Sequence, residues 1–282
     1  MADRPQHPRL TPQAEAALVA HRAGAISAEV ALMRILLSGL PAAALPALLR
    51  DDAALLGLAK RQADHLAALE RVVRAGTDHA PGTGLEATRA MFDRLVALAP
   101  EASVAAYSLG DPATLAAATA ELVAWLCGHG LLAGRPRVLD LGCGIGRVAA
   151  ALAPDAGEVL GLDISAGMIA EARRRHPAPN LRFERCGGRD LAGVPDAGFD
   201  LLLAVDVFPY LVQDSAEAAA RMLAEAERVL APGGTLAILN YDYGTEESAS
   251  PRHAAGPDLL PVEDGTTPFR LWDARAYRLL RR

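Results

Sequence analysis

Cysteine is scarce in this 282-residue chain. Cys127, Cys143 and Cys186 share no metal-ligand spacing and are too few for a disulfide scaffold. That excludes the small disulfide-built secreted domains and makes the cell interior, the cytoplasm, the default compartment. Aromatic residues are few, at 4%, and no internal repeat is visible. Positive charge is outweighed, with 28 Lys and Arg against 34 Asp and Glu. The resulting net charge of −6 argues against a nucleic-acid partner, which would meet a basic field. Long apolar runs are missing too. Residues 1–8 lack the apolar core of a leader peptide. The longest weakly charged stretch, Pro112 to Gly134, is mostly alanine and is broken by Glu121 and His129. It predicts a buried helix rather than a membrane span.

What is present begins with helices. Residues 1 to about 10 read as a loose arm, and Thr11-Pro12 as a helix start, a cap followed by proline in the first turn. Ile26, Val30, Met33 and Leu37 recur at helical spacing and predict one buried face. Asp51-Asp52 starts another helix, with Leu66, Leu69 and Val73 on the apolar side of the pattern that follows. Gly76 to Gly84 reads as a glycine-rich loop, and Leu85 to Leu98 as a further helix stopped by Pro100. His21, His65 and His79 are scattered, and no metal site is expected. Residues 1–100 therefore form a helical cap or interaction region, a candidate surface for a homo-oligomer. Residues 101–282 form the ligand-binding domain.

The stretch that organises the chain is Arg137-Val138-Leu139-Asp140-Leu141-Gly142-Cys143-Gly144-Ile145-Gly146-Arg147. An apolar run ends in an acid, three glycines follow at alternate positions, and helical spacing resumes. The pattern predicts a buried strand, a tight loop and a helix start. Dinucleotide enzymes place G-x-G-x-x-G at such a loop, with the pyrophosphate on the helix N-terminus. Here the spacing is G-x-G-x-G, and Arg147 stands where the last dinucleotide glycine belongs. Asp140 would repel a diphosphate and attract an ammonium group.

This stretch resembles the first motif of the class I S-adenosylmethionine (SAM) dependent methyltransferases. The resemblance implies that Asp140 helps hold the methionine amino group, while Gly142, Cys143 and Gly144 admit the cofactor. It also implies a Rossmann-like α/β fold: a seven-stranded, mostly parallel sheet with helices on both faces and its last strand reversed, preceded by the helical N-terminal region. Tyr107, in the segment before the long helix, corresponds to residues that fold over the methionine end. A core tyrosine at a helix elbow is the equal alternative.

The αβ alternation continues after the loop. Glu158 to Asp163 is a strand ending in an acid 17 residues past Gly146, placed to accept both hydroxyls of a ribose. Ile164 and Met168 follow, where apolar side chains flank adenine. Leu181 to Cys186 should be the third strand. The family usually places an acid just after it, and here that position is Gly187. The backbone of Gly188 and Arg189 then holds adenine, with Asp190 as the alternative. Phe199 to Val205 reads as a central strand, and Val205 is counted among the cofactor contacts. The loop after it, Asp206-Val207-Phe208-Pro209-Tyr210, lacks Asn-Pro-Pro-Tyr, which disfavours methylation of adenine or glutamine amides. Arg228 to Leu236 resembles the late family motif: helix end, Pro-Gly-Gly turn, fifth strand. A loop is expected over Thr245 to Pro261 and a final strand over Phe269 to Leu280.

The implied reaction is transfer of a methyl group from SAM to an oxygen or nitrogen of a small molecule, leaving S-adenosylhomocysteine. No catalytic residue stands out. Asp206, Tyr210, Tyr241 and Tyr243 are candidates to take a proton from an oxygen acceptor. Two other readings compete: a SAM-binding scaffold that does not turn over, and an NAD-dependent oxidoreductase, which Asp140 and Arg147 disfavour.

Overall fold

A computed structural model describes residues 9–76, 84–243 and 250–282. The arm at residues 1–8, most of the glycine-rich loop (77–83) with His79, and residues 245–249 of the expected tail loop lie outside these. Chain contacts divide the protein into two units, neither of them continuous in sequence. One comprises Met1–Thr77, Leu98–Ala118 and Arg270–Asp273; the other Asp78–Ala97, Thr119–Phe269 and Ala274–Arg282.

The first unit is helical. α1 (Pro12–Arg22) starts at Thr11, whose hydroxyl accepts a hydrogen bond from Ala14 N at 3.1 Å. α2 (Ala28–Leu37) and α4 (Ala53–Arg61) start in the same way at Ser27 and Asp52, on either side of the short α3 (Leu45–Leu48). α5 (Ala63–Gly76) follows. The buried face of α2 is Val30, Ala31, Leu32, Ile35 and Leu36, and Leu37 is 53% exposed. The expected stripe through Met33 and Leu37 is thus rotated. α2 is apolar nearly all round, so its neighbours rather than its periodicity choose the buried side. Arg34, on the wet side, pairs with Asp273.

α6 (Gly84–Leu98) belongs to the second unit, whereas α7 (Pro100–Val104) lies in the first. α8 (Pro112–Gly128) leads towards the sheet. The sheet strands are β1 (Arg137–Leu141), β2 (Glu158–Asp163), β3 (Leu181–Arg185), β4 (Phe199–Val205), β5 (Leu230–Leu239), β6 (Leu259–Thr266) and β7 (Ala276–Arg281). Between them run α9 (Arg147–Leu152), α10 (Ala166–Arg175), α11 (Phe208–Asp214) and α12 (Ala216–Val229). The strand order is β3-β2-β1-β4-β5-β7-β6, parallel from β3 to β5, with β7 antiparallel to both neighbours. This is the Rossmann-like seven-stranded sheet that the sequence predicts. The chain runs outward from β1 through β2 to β3, then returns to β4 on the other side. The loops after β1 and β4 therefore border the crevice where open α/β sheets take ligands.

Leu139, Leu141, Leu202, Leu236 and Ile238 form the core with Met222, Leu223, Ala226 and Val229 of α12. Each such side chain contributes about 1.5–3 kcal/mol by leaving water, enough in sum to hold a strained loop at the sheet edge.

Three expectations for the late chain are corrected. The Pro-Gly-Gly turn is an irregularity inside β5: Phe199 pairs with Leu230, and Leu201 then pairs with Thr235. β6 (Leu259–Thr266) begins inside the loop expected over Thr245 to Pro261, and β7 begins at Ala276, not Phe269. Pro261 obscured that strand. It is tolerated because β6 is the outermost strand and its register shifts between Pro261 and Glu263.

Candidate functional site

The β1 strand carries Asp140 to within two residues of the glycine loop. Gly142 has φ +69°, and a Cβ there would fall 2.2 Å from Val207 Cγ2 of the β4 loop. Only a glycine lets the two loops approach this closely. Gly146, at φ +79°, begins α9 and packs against Phe183, which a Cβ would meet at 2.6 Å. The first glycine thus shapes the crevice, and the third seats the helix on the sheet. Gly142 N and Cys143 N both donate to Leu162 O, at 2.7 and 2.9 Å, which ties the loop to β2.

Asp163, at the end of β2, accepts hydrogen bonds from Gly144 N (2.9 Å) and Ser165 N (2.8 Å), one on each carboxylate oxygen. It is 8% exposed. Asp140 is 1% exposed, and one of its oxygens accepts from Ala149 N in the first turn of α9 at 3.1 Å. It therefore lies beneath the loop and faces the helix start. Burial pushes the Asp140 carboxyl up to about 7, against the pull of Arg147 and Ala149 N–H, and the Asp163 charge adds to the rise. Burial also raises Asp163, with Asp93 adding to it and backbone N–H groups opposing. Two desolvated carboxylates on neighbouring strands make a place where a cation is favoured and a phosphate is not. The thiols beside them are inert, since burial drives Cys143 well above its ordinary range and Cys186 to about 11.

A second polar group lies at the ends of β4 and β5. Asp206 and Asn240 both have left-handed backbone, φ +56° and +59°. Asn240 exchanges hydrogen bonds with Arg275: its N–H donates to Arg275 O (2.8 Å), and its side-chain oxygen accepts from Arg275 N (3.0 Å). That orientation aims its amide nitrogen at Asp206 Oδ1, 2.7 Å away, which also accepts from the Tyr243 hydroxyl at 3.1 Å. The Tyr210 ring lies edge-on to Tyr243 (6.3 Å) and to Phe92 of α6 (5.2 Å). Burial, reinforced by the Asp206 charge, raises the Tyr210 phenol, so it keeps its proton at neutral pH. Strained, non-glycine backbone at two adjoining strand ends is a common mark of functional sites.

Around the crevice the structure thus gathers Asp140, Gly142, Cys143, Gly144 and Asp163. It also brings together Asp206, Tyr210 and Tyr243. Ile164 and Gly188 meet, since a Cβ on Gly188 (φ +78°) would fall 2.6 Å from Ile164 Cγ2. Met168 is buried in α10, its N–H bonded to Ser165 Oγ. Val205 is half-buried at the end of β4. Other candidates have different surroundings. Arg189 and Asp190 are exposed, and Asp190 accepts from Ala192 N in a local turn. Tyr241 is a core ring, stacked on Phe208 at 5.5 Å. Tyr107 lies in the first unit, buried and stacked on Trp272 at 5.0 Å. Asn240, Val207 and Asp93 were missed. Asp93 of α6 accepts from Ser165 Oγ (2.5 Å) and Gly167 N (3.0 Å), and no local pattern announces a contact across 72 residues. Among the described residues, no cluster of three or more His, Cys, Asp or Glu could hold a metal, and no helix is long and apolar enough to cross a membrane.

An open parallel sheet with a glycine loop and two buried acids at its switch point defines a Rossmann-like nucleoside-binding domain. Residues 139–238 match the family described as "Methyltransferase domain", and this match, with the relatives below, supports a class I SAM-dependent methyltransferase. Trans-aconitate 2-methyltransferase of Methylobacterium nodulans (strain LMG 21967 / CNCM I-2342 / ORS 2060) is 43% identical over 121 residues, which is 42% of this chain and 43% of that protein. Ribosomal RNA large subunit methyltransferase G of Streptomyces coelicolor (strain ATCC BAA-471 / A3(2) / M145) is 41% identical over 108 residues, 36% of this chain and 28% of that protein. The chain thus spans less than half the length of these curated relatives. A solved structure described as "Conversion of a Disulfide Bond into a Thioacetal Group during Echinomycin Biosynthesis" superposes with a TM-score of 0.51 at 20% identity. The match covers 69% of this chain and 93% of that one, and it speaks for the fold.

The residues present fit SAM. Each oxygen of Asp163 accepts one N–H, and a carboxylate offers about four acceptor positions, so a diol can add to both. The raised carboxyls are acceptors whose buried charge a sulfonium and an ammonium would relieve.

Proposed function

We propose that this protein transfers a methyl group from SAM to an oxygen or nitrogen of a small-molecule acceptor. The observation that carries the reading is the pair of buried, upward-shifted carboxylates, Asp140 and Asp163, joined through the glycine loop. In this reading Asp163 takes the ribose hydroxyls, and the backbone of Gly142, Cys143 and Gly144 faces the methionine part. Asp140 stabilises that end by its charge and by fixing the start of α9. Ile164, Met168, Gly188 and Arg189 flank the base, with Asp190 and Val205 at the margins. SAM, when bound, supplies a methyl group already activated by its sulfonium. The protein then has to align the acceptor and exclude water.

Alignment falls to Asp206, Asn240, Tyr210 and Tyr243. Asn240 and Tyr243 hold the Asp206 carboxylate, which can accept a proton or a hydrogen bond from a hydroxyl or amine. Tyr210, kept protonated, serves as a donor. A carboxylate at this edge favours an acceptor that brings its own N–H or O–H. The net charge of −6 supports action without nucleic acid, and we place the protein in the cytoplasm without a membrane partner.

Thermal unfolding with S-adenosylhomocysteine tests the cofactor. A ligand at a hundredfold excess over its dissociation constant stabilises the folded state by about 2.7 kcal/mol. The wild type should show that shift and Asp163→Ala should lose it; an unshifted wild type refutes the reading. Release of S-adenosylhomocysteine across a panel of hydroxyl and amine acceptors then tests transfer. Binding without release for any acceptor would make this a SAM-binding protein that does not turn over.

A further inference from the structure

We infer that Asp93 is a positioning residue for the cofactor: through Ser165 it holds the Asp163 carboxylate where the ribose hydroxyls are received. The inference rests on the methyltransferase reading and deepens it.

β2 ends at Asp163, so the sheet fixes its backbone, through the Cys186 N–H on its carbonyl (2.9 Å), but not its side chain. Two backbone donors fix the side chain. Gly144 N donates to Oδ2 at 2.9 Å, and the glycine loop that carries it is tied to Leu162 O. Ser165 N donates to Oδ1 at 2.8 Å, two residues on, in a local turn. Ser165 is fully buried and lies past the end of the strand. What holds it comes from α6. Its hydroxyl donates to Asp93 Oδ1 at 2.5 Å, and the same oxygen accepts from Gly167 N at 3.0 Å. Ser165 Oγ accepts in turn from Met168 N at 3.1 Å, which caps α10. The first donor to Asp163 is thus set by the sheet, and the second by a helix residue 72 positions earlier than Ser165.

Seating α6 does not require this acid. Leu85 packs into the space at Gly188, its Cδ1 2.8 Å from where a Cβ would stand, and Val96 Cγ1 does the same at Gly167, also at 2.8 Å. Leu85, Asp93 and Val96 share one helix face, so apolar contacts hold the helix on either side of Asp93. An acid between them carries a cost, because its charge works with burial to raise the Asp163 carboxyl. A neutral hydrogen-bonding residue would seat the helix without that repulsion. A carboxylate holds its donors about twice as strongly as a neutral acceptor does, and here the grip falls on the residue whose N–H orients Asp163. A ribose presents two hydroxyls at a fixed separation. It meets both oxygens of one carboxylate only where the plane of that carboxylate is held, so the stiffness of the Ser165 turn becomes affinity for the diol.

The test is a binding cycle. Calorimetry measures S-adenosylhomocysteine and its 2′-deoxy and 3′-deoxy analogues on the wild type, Asp93→Ala and Asp93→Asn. The wild type should lose about tenfold or more in affinity for each analogue, as expected for one hydrogen bond to a charged acceptor. Asp93→Ala should bind S-adenosylhomocysteine about tenfold more weakly, with both hydroxyl penalties reduced to about threefold or less. Asp93→Asn keeps an acceptor for Ser165 and Gly167 and should fall between the two. A residue that only docked α6 would lower the melting temperature and leave both penalties intact. That result overturns the inference, as does an unchanged affinity in Asp93→Ala. If Asp93→Ala does not fold, Ser165→Ala removes the hydroxyl through which Asp93 acts, leaves both acids, and must lose the same discrimination. A wild type that binds S-adenosylhomocysteine with no hydroxyl penalty removes the ribose role of Asp163 and this inference, while the cofactor reading stands. A wild type that binds none of the three removes both.

Discussion

Asp140→Asn gives the sharpest test of the electrostatics. The Asp140 carboxyl, ordinarily at 3.8, is pushed up to about 7 by burial. At about 1.36 kcal/mol per unit, that difference is worth roughly 4 kcal/mol. At pH values below about 4 the group is protonated in both the folded and unfolded chain and contributes nothing. Between about 4 and about 7 the unfolded chain has released the proton and the fold retains it, so stability falls as pH rises. Above about 7 the loss is complete. Asparagine keeps an acceptor for Ala149 N–H and has no proton to release. Urea unfolding of both proteins from about pH 4 to about pH 8 should show Asp140→Asn gaining on the wild type by up to roughly 4 kcal/mol. The Asp163 titration is common to both and largely cancels. A cationic ligand acts in the opposite sense. S-adenosylhomocysteine carries an ammonium, so its affinity for the wild type should climb as pH passes through about 7, and climb less for Asp140→Asn. Parallel stability curves would refute the claim that this buried carboxyl is displaced.

Gly142→Ala should cost about 1–2 kcal/mol for its left-handed backbone, and more for the contact with Val207 Cγ2. Adding Val207→Ala should return the contact part but not the backbone part, read from urea midpoints. Asn240→Ala removes a donor from Asp206 and should lower methyl transfer while leaving the dissociation constant of S-adenosylhomocysteine unchanged. Equal losses in both would place Asn240 in cofactor binding. Ser215 caps α12 through a 3.0 Å bond from Ala218 N. Ser215→Ala should therefore lower stability by about 1 kcal/mol, seen as a drop in melting temperature.

The parallel half of the sheet was legible because its signals are local. Apolar runs end in Asp140, Asp163 and Val205, and each gives way to a loop and a helix start, marked by Gly146, by the Ser165 cap and by Pro209 in the first turn respectively. The ligand edge follows from that order alone. The reversed half was less legible. β6 contains Pro261 and alternates weakly, and β5 begins four residues before its Pro-Gly-Gly segment is complete. The buried side of α2 was misread because a helix apolar on most faces leaves the choice to its neighbours. Asp93 carried no signal, since its meaning lies in hydrogen bonds to Ser165 and Gly167 at the start of α10, far along the chain. Asn240 looked like an ordinary residue after a strand. Its value comes from the exchange with Arg275, which only the fold provides.

The position of β7 bears on the order in which the protein can assemble. It is inserted between β5 and β6, and β6 reaches the sheet only through it. During synthesis, residues 259–266 emerge with no partner and must wait for residues 276–281. Until those are made, the outer edge of β5 is an open row of N–H and C=O groups beside a largely formed sheet, the kind of edge that recruits other chains. Quality control of this protein is thus concentrated in one late pairing event, and a defect in a few residues of β7 would release two strands rather than one.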